Sequence, residues 1–382
     1  MLLAIIEYGI SSPIDKTLRK GIRILSLPNV DKNGDFVLDK TPFIEKEKVS
    51  ENDYLKYGDL LFNWRNGSKE HLGKTAFFNL NGVYTHVGFL LKIRTYKDKL
   101  NPFFLKSYIN FLRNNGFFLR AKIQVNNTFN KQELSELPVI FPDILEQQKI
   151  AAILSTWDKA IELTQQLIEV KEEQKKGLMQ RLFSPKESLQ EYTYGQIIKE
   201  VKRPIEWDDD ERYDLISVRR RSGGLFHRDT LYGHQIKTKN LRTANKGDFL
   251  ISKMQILHGA SGLTTEEFDG MKISGSYIGV ISKNPRILNI EYLNWLSKTP
   301  WFYHQTYISS YGVHIEKMTF DFKSFLKQHV YLPSIEEQKK AVSILNLAEK
   351  EIKGLKRKCD ALREQKKGLM QQLLTGKIRV NQ

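Results

Sequence analysis

Apolar residues keep a seven-residue beat along two long stretches of the chain. In the first the beat falls on Ile150, Leu154, Trp157, Ile161, Ile168, Leu178 and Leu182, with Thr164, Lys171 and Lys175 at the remaining places. In the second it falls on Ala341, Leu345, Ala348, Ile352, Leu355, Cys359, Leu362, Leu369 and Leu373, with Lys366 at the remaining place. Alternating steps of three and four put such positions on one helix face and make a coiled-coil seam. Asp143 and Glu146 stand at capping-box spacing, as do Ser334 and Glu337, so both helices have a marked start. Ser184-Pro185 stops the first, because proline cannot continue a helix, and Thr375-Gly376 stops the second. The pattern predicts helices over 143–184 and 334–376. Lys175 and Lys366 are expected to lay their stems along the seam with the ammonium in water; facing a partner is the alternative. Cys359 is expected in the core.

The two stretches are copies. Glu173-Gln-Lys-Lys-Gly-Leu-Met-Gln180 recurs as Glu364-Gln-Lys-Lys-Gly-Leu-Met-Gln371, 191 residues on. The same offset aligns Pro142 with Pro333, Glu146-Gln147 with Glu337-Gln338, and Ile153-Leu154 with Ile344-Leu345. A period this long means duplicated domains and not a solenoid. Before each helix lies a segment of mixed character. Strands are predicted at 22–27, 59–64 and 84–93, then a helix over 102–113; in the second copy strands at 214–219, 248–253 and 272–282, then a helix over 290–296. Gly58-Asp-Leu-Leu echoes Gly247-Asp-Phe-Leu, and Thr128-Phe129 echoes Thr319-Phe320. The fold class is α+β: two mixed domains, each followed by a long helix. The opening Met1-Leu-Leu-Ala-Ile-Ile6 reads as a buried strand and not as a signal peptide, for no basic run precedes it.

Composition narrows the function. The formal charge of +16 over 382 residues points to a polyanionic partner. A single cysteine, Cys359, excludes an internal disulfide and a Cys-rich zinc site. No stretch approaches the roughly 18 apolar residues of a membrane span.

Enzyme motifs fail when tested. The run from Gly67 to Gly73-Lys74-Thr75 approaches a phosphate-binding loop, but five residues separate its glycines. Ala76-Phe77-Phe78 after it reads as a strand, where the motif needs a helix whose amides cradle phosphate. Asn101-Pro102-Phe103-Phe104 resembles the amino-methyltransferase motif without its second proline; Asn101 is better read as an N-cap with Pro102 at the first helical position. Asp143 with Glu169-Val170-Lys171 imitates a nuclease carboxylate set, yet these residues spread over several turns of one helix. His71, His86, His227, His234, His258, His304, His314 and His329 show no zinc spacing. No metal site and no catalytic set is expected.

Basic, amide-bearing loops remain. Asn63, Arg65, Lys69, His71 and Lys74 form one in the first segment. Arg219, Arg220, Arg221, His227 and Arg228 form a second, and Lys253, Gln255 and His258 a third. Arginine can grip guanine and Asn or Gln adenine, while lysine and loop amides suit phosphates. These are the candidate DNA contacts.

The run from Leu137-Pro138 to Glu146-Gln147, its copy Leu332-Pro333 to Glu337-Gln338, the Glu173 and Glu364 blocks, and the terminal Leu374-Thr-Gly-Lys-Ile-Arg-Val380 resemble the specificity subunit of type I restriction–modification enzymes. The resemblance covers the full chain. It implies target-recognition domains at 1–142 and 185–333, spacer helices at 143–184 and 334–376, and a tail at 377–382. It implies that the helices pack antiparallel as a pseudo-two-fold coiled coil, with Trp157, Ile161, Ile168, Leu178, Leu182, Ile352, Leu355, Cys359, Leu362, Leu369 and Leu373 at the seam or partner interface. Each domain would read half of an asymmetric double-stranded DNA site. Two modification subunits would bring S-adenosylmethionine and methylate adenine at N6, flipping the base themselves. Two restriction subunits would use ATP and Mg to translocate and cleave. The chain itself would be cytoplasmic, cofactor-free and non-catalytic. Two alternatives are a type IIB-like specificity subunit and a free-standing coiled-coil DNA-binding regulator.

Overall fold

In the computed structural model the described residues are 3–15, 17–31, 34–119, 128–139, 141–185, 187–315 and 318–380. The chain divides into two compact units, Met1–Gln166 with Lys356–Gln382, and Leu167–Leu355.

The first unit begins with β1 (Leu3–Tyr8), β2 (Ile22–Leu25), β3 (Phe43–Ile44), β4 (Leu60–Asn63), β5 (Thr75–Phe77), β6 (Tyr84–His86) and β7 (Leu90–Thr95). Helices α1 (Pro102–Asn114), α2 (Lys131–Ser135) and α3 (Ile144–Leu182) follow, and α3 enters the second unit at Leu167. The strands make one sheet in the order β1-β7-β4-β5 and another in the order β3-β2-β6. Leu60, Phe62, Leu91 and Ile93 of the larger sheet bury against Phe104, Tyr108 and Ile109 of α1 and Ile150, Ala151 and Leu154 of α3.

The second unit contains β8 (Gln190–Thr193), α4 (Tyr194–Ile197), β9 (Ile198–Val201), β10 (Arg212–Val218), β11 (Leu225–Tyr232), β12 (Leu241–Thr243), β13 (Phe249–Ser252), β14 (Ser261–Leu263), β15 (Lys272–Ser274) and β16 (Tyr277–Ser282). Then come α5 (Ile290–Leu296), α6 (Pro300–Ile308), β17 (Ser310–Tyr311), β18 (Thr319–Phe320), α7 (Phe322–Leu326), β19 (His329–Leu332) and α8 (Ile335–Leu373). It has two four-stranded sheets, one in the order β14-β13-β16-β9 and the other β11-β10-β15-β12. Phe249, Ile251, Ile278 and Val280 pack with Tyr292 and Leu293 of α5 and with Ala341, Val342 and Leu345 of α8.

Each apolar run that predicted one strand, 84–93 and 272–282, is two strands. The chain changes sheets at Val87-Gly88 and again at Gly275-Ser276. Continuous apolarity hides such a change, because both halves are buried. The opening strand lies at a sheet edge with Ile6 as its one buried residue, so it is less covered than expected; Met1 and Leu2 lie outside the described residues.

Both long helices form as predicted, and every seam position is buried or half-buried. In the first unit Lys366 of α8 pairs with Asp158 of α3. In the second unit Lys175 pairs with Glu349 at 2.7 Å and Lys171 with Glu351 at 2.8 Å. Numbers rise on α3 as they fall on α8, so within each unit the two helices are antiparallel. Asp158 and Glu349 are themselves 191 apart. The two seam lysines therefore do not end in water as expected: each meets a carboxylate of the opposite helix, in the same place of each copy. Cys359 is buried at the seam.

Candidate nucleic-acid interface

In the second unit β10 and β11 form a hairpin whose turn, residues 219–224, carries the arginines. Gly224 O accepts from Arg219 N (2.9 Å) and Arg220 O from Gly223 N (3.2 Å), which keeps the turn tight. Arg221 and Ser222 both adopt left-handed backbone (φ 58° and 54°), alone among the described non-glycine residues. That conformation costs roughly 1–2 kcal/mol per residue. The turn is held in it by the loop after β13: Arg221 N donates to His258 O (2.5 Å) and Ser222 N to Gly259 O (3.0 Å). The Ser222 hydroxyl also shares a hydrogen bond with the Tyr303 hydroxyl of α6 at 2.9 Å. Gly259 (φ 71°) is required there, for a Cβ would lie 1.8 Å from that Tyr303 oxygen.

Two loops singled out in the sequence thus meet. Arg220, Arg221, Ser222 and His258 line a cleft of about 530 Å³ together with Lys298 and Tyr303. Lys298 lies over the Trp295 ring at 3.8 Å, and burial pushes its ammonium down to about 8. The other candidates of this unit lie elsewhere. Arg219 is exposed but stacks on Phe226 (4.4 Å) and donates to Leu225 O (3.1 Å). His227 and Arg228 are exposed on β11, with His227 against Thr230 (2.9 Å). Lys253 donates to Gly275 O at 3.0 Å. Gln255 is half-buried, and its Oε1 has no hydrogen-bond partner among the described residues.

The first unit presents its candidates differently. Asn63 ends β4 and is 2% exposed; its Oδ1 has no partner among the described residues. Lys74 is buried with Nζ 3.4 Å from Val30 O; burial, and then Arg113, hold its ammonium below the usual lysine range. Arg65 bridges through its backbone to Thr128 and sets its guanidinium 5.9 Å from the Phe89 ring. Lys69 and His71 belong to a single 3₁₀ turn, where His71 is exposed. Gly73 serves packing: a Cβ on it would lie 2.4 Å from the Phe118 ring. Thr75 opens a strand, and its hydroxyl donates to Gly73 O, which leaves no phosphate loop.

Asn101 caps α1 by accepting from Phe103 N and Phe104 N. Asp143 caps α3 by accepting from Leu145 N and Glu146 N, both at 3.0 Å. Among the described residues no group of three His, Cys, Asp or Glu could hold a metal, and no helix is long and apolar enough to cross a membrane.

Residues 24–172 match the family described as the Type I restriction modification DNA specificity domain. Over those residues the chain is similar to the DNA specificity domain of type I restriction–modification systems. It is 26% identical, over 99% of its own length and 92% of the relative's, to a chain named as the type I restriction enzyme MjaX specificity subunit of Methanocaldococcus jannaschii. Its fold is similar to the S subunit from M. genitalium, with a TM-score of 0.59 at 13% identity over 97% of this chain and 93% of that one. A chain from a study of type I restriction–modification complex assembly gives a TM-score of 0.50 at 13% identity, over 98% of each chain.

The repeated motifs have a structural use beyond their repetition. Gln147 donates to Lys99 O (3.2 Å) and Pro142 O (2.9 Å) and accepts from Asn101 N (2.9 Å). Gln338 repeats this with Ile287 O (2.8 Å), Pro333 O (2.9 Å) and Asn289 N (2.9 Å). Each buried glutamine ties the start of a long helix to the capped start of the short one before it. The terminal motif does the same work once. Arg379 grips the buried Glu146 carboxylate, which also accepts from Val380 N (3.0 Å). The Arg379 hydrogen bonds hold Glu146 below the usual carboxylate range. Lys298 and Tyr303 were also missed, because Lys298-Thr299-Pro300 reads only as a helix start.

Proposed function

We propose that the chain is the specificity subunit of a type I restriction–modification system and reads an asymmetric, bipartite double-stranded DNA site, one half through residues 1–142 and the other through residues 185–333. Residues 143–184 and 334–376 set the gap, with residues 377–382 as a C-terminal tail. Two modification subunits carrying S-adenosylmethionine then methylate adenine at N6, and two restriction subunits using ATP and Mg cleave unmodified DNA, all in the cytoplasm. The observation that carries the reading is the contrast inside the repeat. One four-stranded sheet in each unit shares a strand order and the helices share one sequence block, while the basic loops of the two units differ. A repeated scaffold lets two identical partners bind equivalently, and unlike loops let the halves read unlike sequences. The charge of +16 suits the phosphates that any such reading must cross.

The test is to map methylated adenines genome-wide in cells carrying this chain and its modification partner. One two-part motif is expected. Arg65→Ala should relax one half and Arg228→Ala the other, each by roughly 1–3 kcal/mol for a lost base contact. If both variants altered the same half, the two-reader reading would be wrong.

A further inference from the structure

We infer that the cleft between the 219–224 turn and the 255–259 loop grips the DNA sugar-phosphate ridge through Arg221 and Lys298, and reads no base. The inference rests on the DNA-reading function proposed above and assigns this part of it a role. Base edges lie at the floor of a groove, so a side chain that reads them must project. Arg221 and Lys298 instead line a recess of about 530 Å³, which admits only what projects from the duplex. The phosphodiester ridge is what projects.

The chemistry of the lining agrees. Arg220, Arg221 and Lys298 can only donate hydrogen bonds. An anion with several acceptor oxygens satisfies such a set, whereas a base edge alternates donors and acceptors. The lining comes from three elements fixed to one another: the left-handed turn, the loop beneath it, and α6 through the Ser222–Tyr303 hydrogen bond of 2.9 Å. Strain kept in place at a cationic recess is a mark of a binding site. An arriving anion would offset the burial that lowers the Lys298 ammonium beside Trp295.

The experiment uses the full-length chain, a 40-bp duplex of random sequence, and titrations across salt concentration. Lys298→Gln and Arg221→Gln should each weaken binding several-fold at low salt and lower the salt slope by about one. The double variant should lower it by about two. Selection from a random duplex pool should return the same motif as for the unaltered chain, and Lys298→Arg should restore the slope. A changed preference at one position with an unchanged slope would make these residues base readers and overturn the proposal, as would no change in either. Inorganic phosphate separates a free anion from DNA: saturable binding lost in Lys298→Gln, with DNA slopes unaltered, also overturns it. If the unaltered chain bound no duplex at all, the proposed function itself would fall, which is a distinct result.

Discussion

Each unit holds a four-stranded sheet strung alike, β1-β7-β4-β5 in one and β14-β13-β16-β9 read backwards in the other. The other sheet of each unit contains a parallel pair, β2 with β6 and β10 with β15. The difference begins where that pair's first strand ends. In the first unit residues 26–31 and 34–42 gather around buried Asn29, which donates to Val37 O (2.8 Å) and Thr41 (3.1 Å). In the second unit the chain turns at once into a long hairpin and exposes three arginines. The same scaffold position is gathered around a buried asparagine in one copy and is cationic and strained in the other. A duplicated domain can therefore keep its core while changing what it presents.

That division can be broken most severely at the helices. A seven-residue insertion after Ile161 in α3 and after Ile352 in α8 keeps every seam position in step. Under the proposed function both half-sites stay the same and the gap grows by about three base pairs, since seven residues add roughly 10 Å and each pair rises about 3.4 Å. Methylated-adenine mapping reads the gap directly. A functional variant with the old gap would show that something other than the helices sets it. Insertions of three residues should break the seam and abolish methylation.

The shared scaffold should fail equally in both copies. Asp59 and Asp248 follow left-handed Gly58 and Gly247. Asp59 accepts from Lys56 N (2.7 Å) and pairs with Arg94 (2.6 Å); Asp248 accepts from Asn245 N (2.9 Å) and pairs with Arg203. Both carboxylates are almost wholly buried. Removing either leaves its arginine uncompensated, for about 3–5 kcal/mol. Denaturant unfolding of Asp59→Ala and Asp248→Ala should show losses of similar size; a large loss in one alone would end the equivalence.

His86 sharpens the comparison, for it belongs to the first unit only. It is fully buried in β6, and burial, then Lys92, push its ring down to about 4. The folded value lies below the unfolded one near 6.5, so the unfolded chain takes up the proton first. Stability is complete above about pH 6.5 and falls as pH drops towards 4, by at most about 3 kcal/mol. Hydrogen-exchange protection factors at β2 and β6, corrected for the intrinsic pH dependence of amide exchange, should fall between pH 7 and 5, while those of the parallel pair β10 and β15 change less. His86→Leu should flatten that difference; an unchanged pH response would assign it to another group.

How much of this was legible follows from the physics of each signal. The helices were, to within three residues at either end, because a seam repeats over many turns and caps mark its limits. The starts of β4 and β13 were, through Gly-Asp pairs. The sheet changes at Gly88 and Gly275 were not, since a buried strand carries no alternation. The cleft was legible in half. Its arginines form a visible run, but Lys298 and Tyr303 join them by tertiary packing from residues some eighty positions away, with no local pattern to announce it. Gln147 and Gln338 were seen as repeated and not as clamps, because their partners are backbone carbonyls, which have no sequence.

The smallest expected effect tests the repeat at its finest. Lys175–Glu349 and Lys366–Asp158 occupy matching places, and their side chains keep 20–35% exposure. Ion pairs so placed are worth about 0.2–1 kcal/mol after screening. Their use is better sought in register. An apolar seam alone tolerates a slip by one heptad, whereas a lysine opposite a carboxylate is satisfied in one alignment only, at some cost in stability. The surroundings are unequal. Burial raises Glu349, and Lys175, Lys298 and Lys353 more than offset it, so its carboxyl lies below the usual range. Double-mutant cycles, Lys175→Met with Glu349→Gln and Lys366→Met with Asp158→Asn, should give coupling energies under about 1 kcal/mol. The Glu349 coupling should fade as pH falls through the carboxylate range, since a depressed pKa stabilises above the unfolded value and loses its contribution below. A Glu349 coupling that held constant at every pH would mean that the lysines around Glu349 do not act on it.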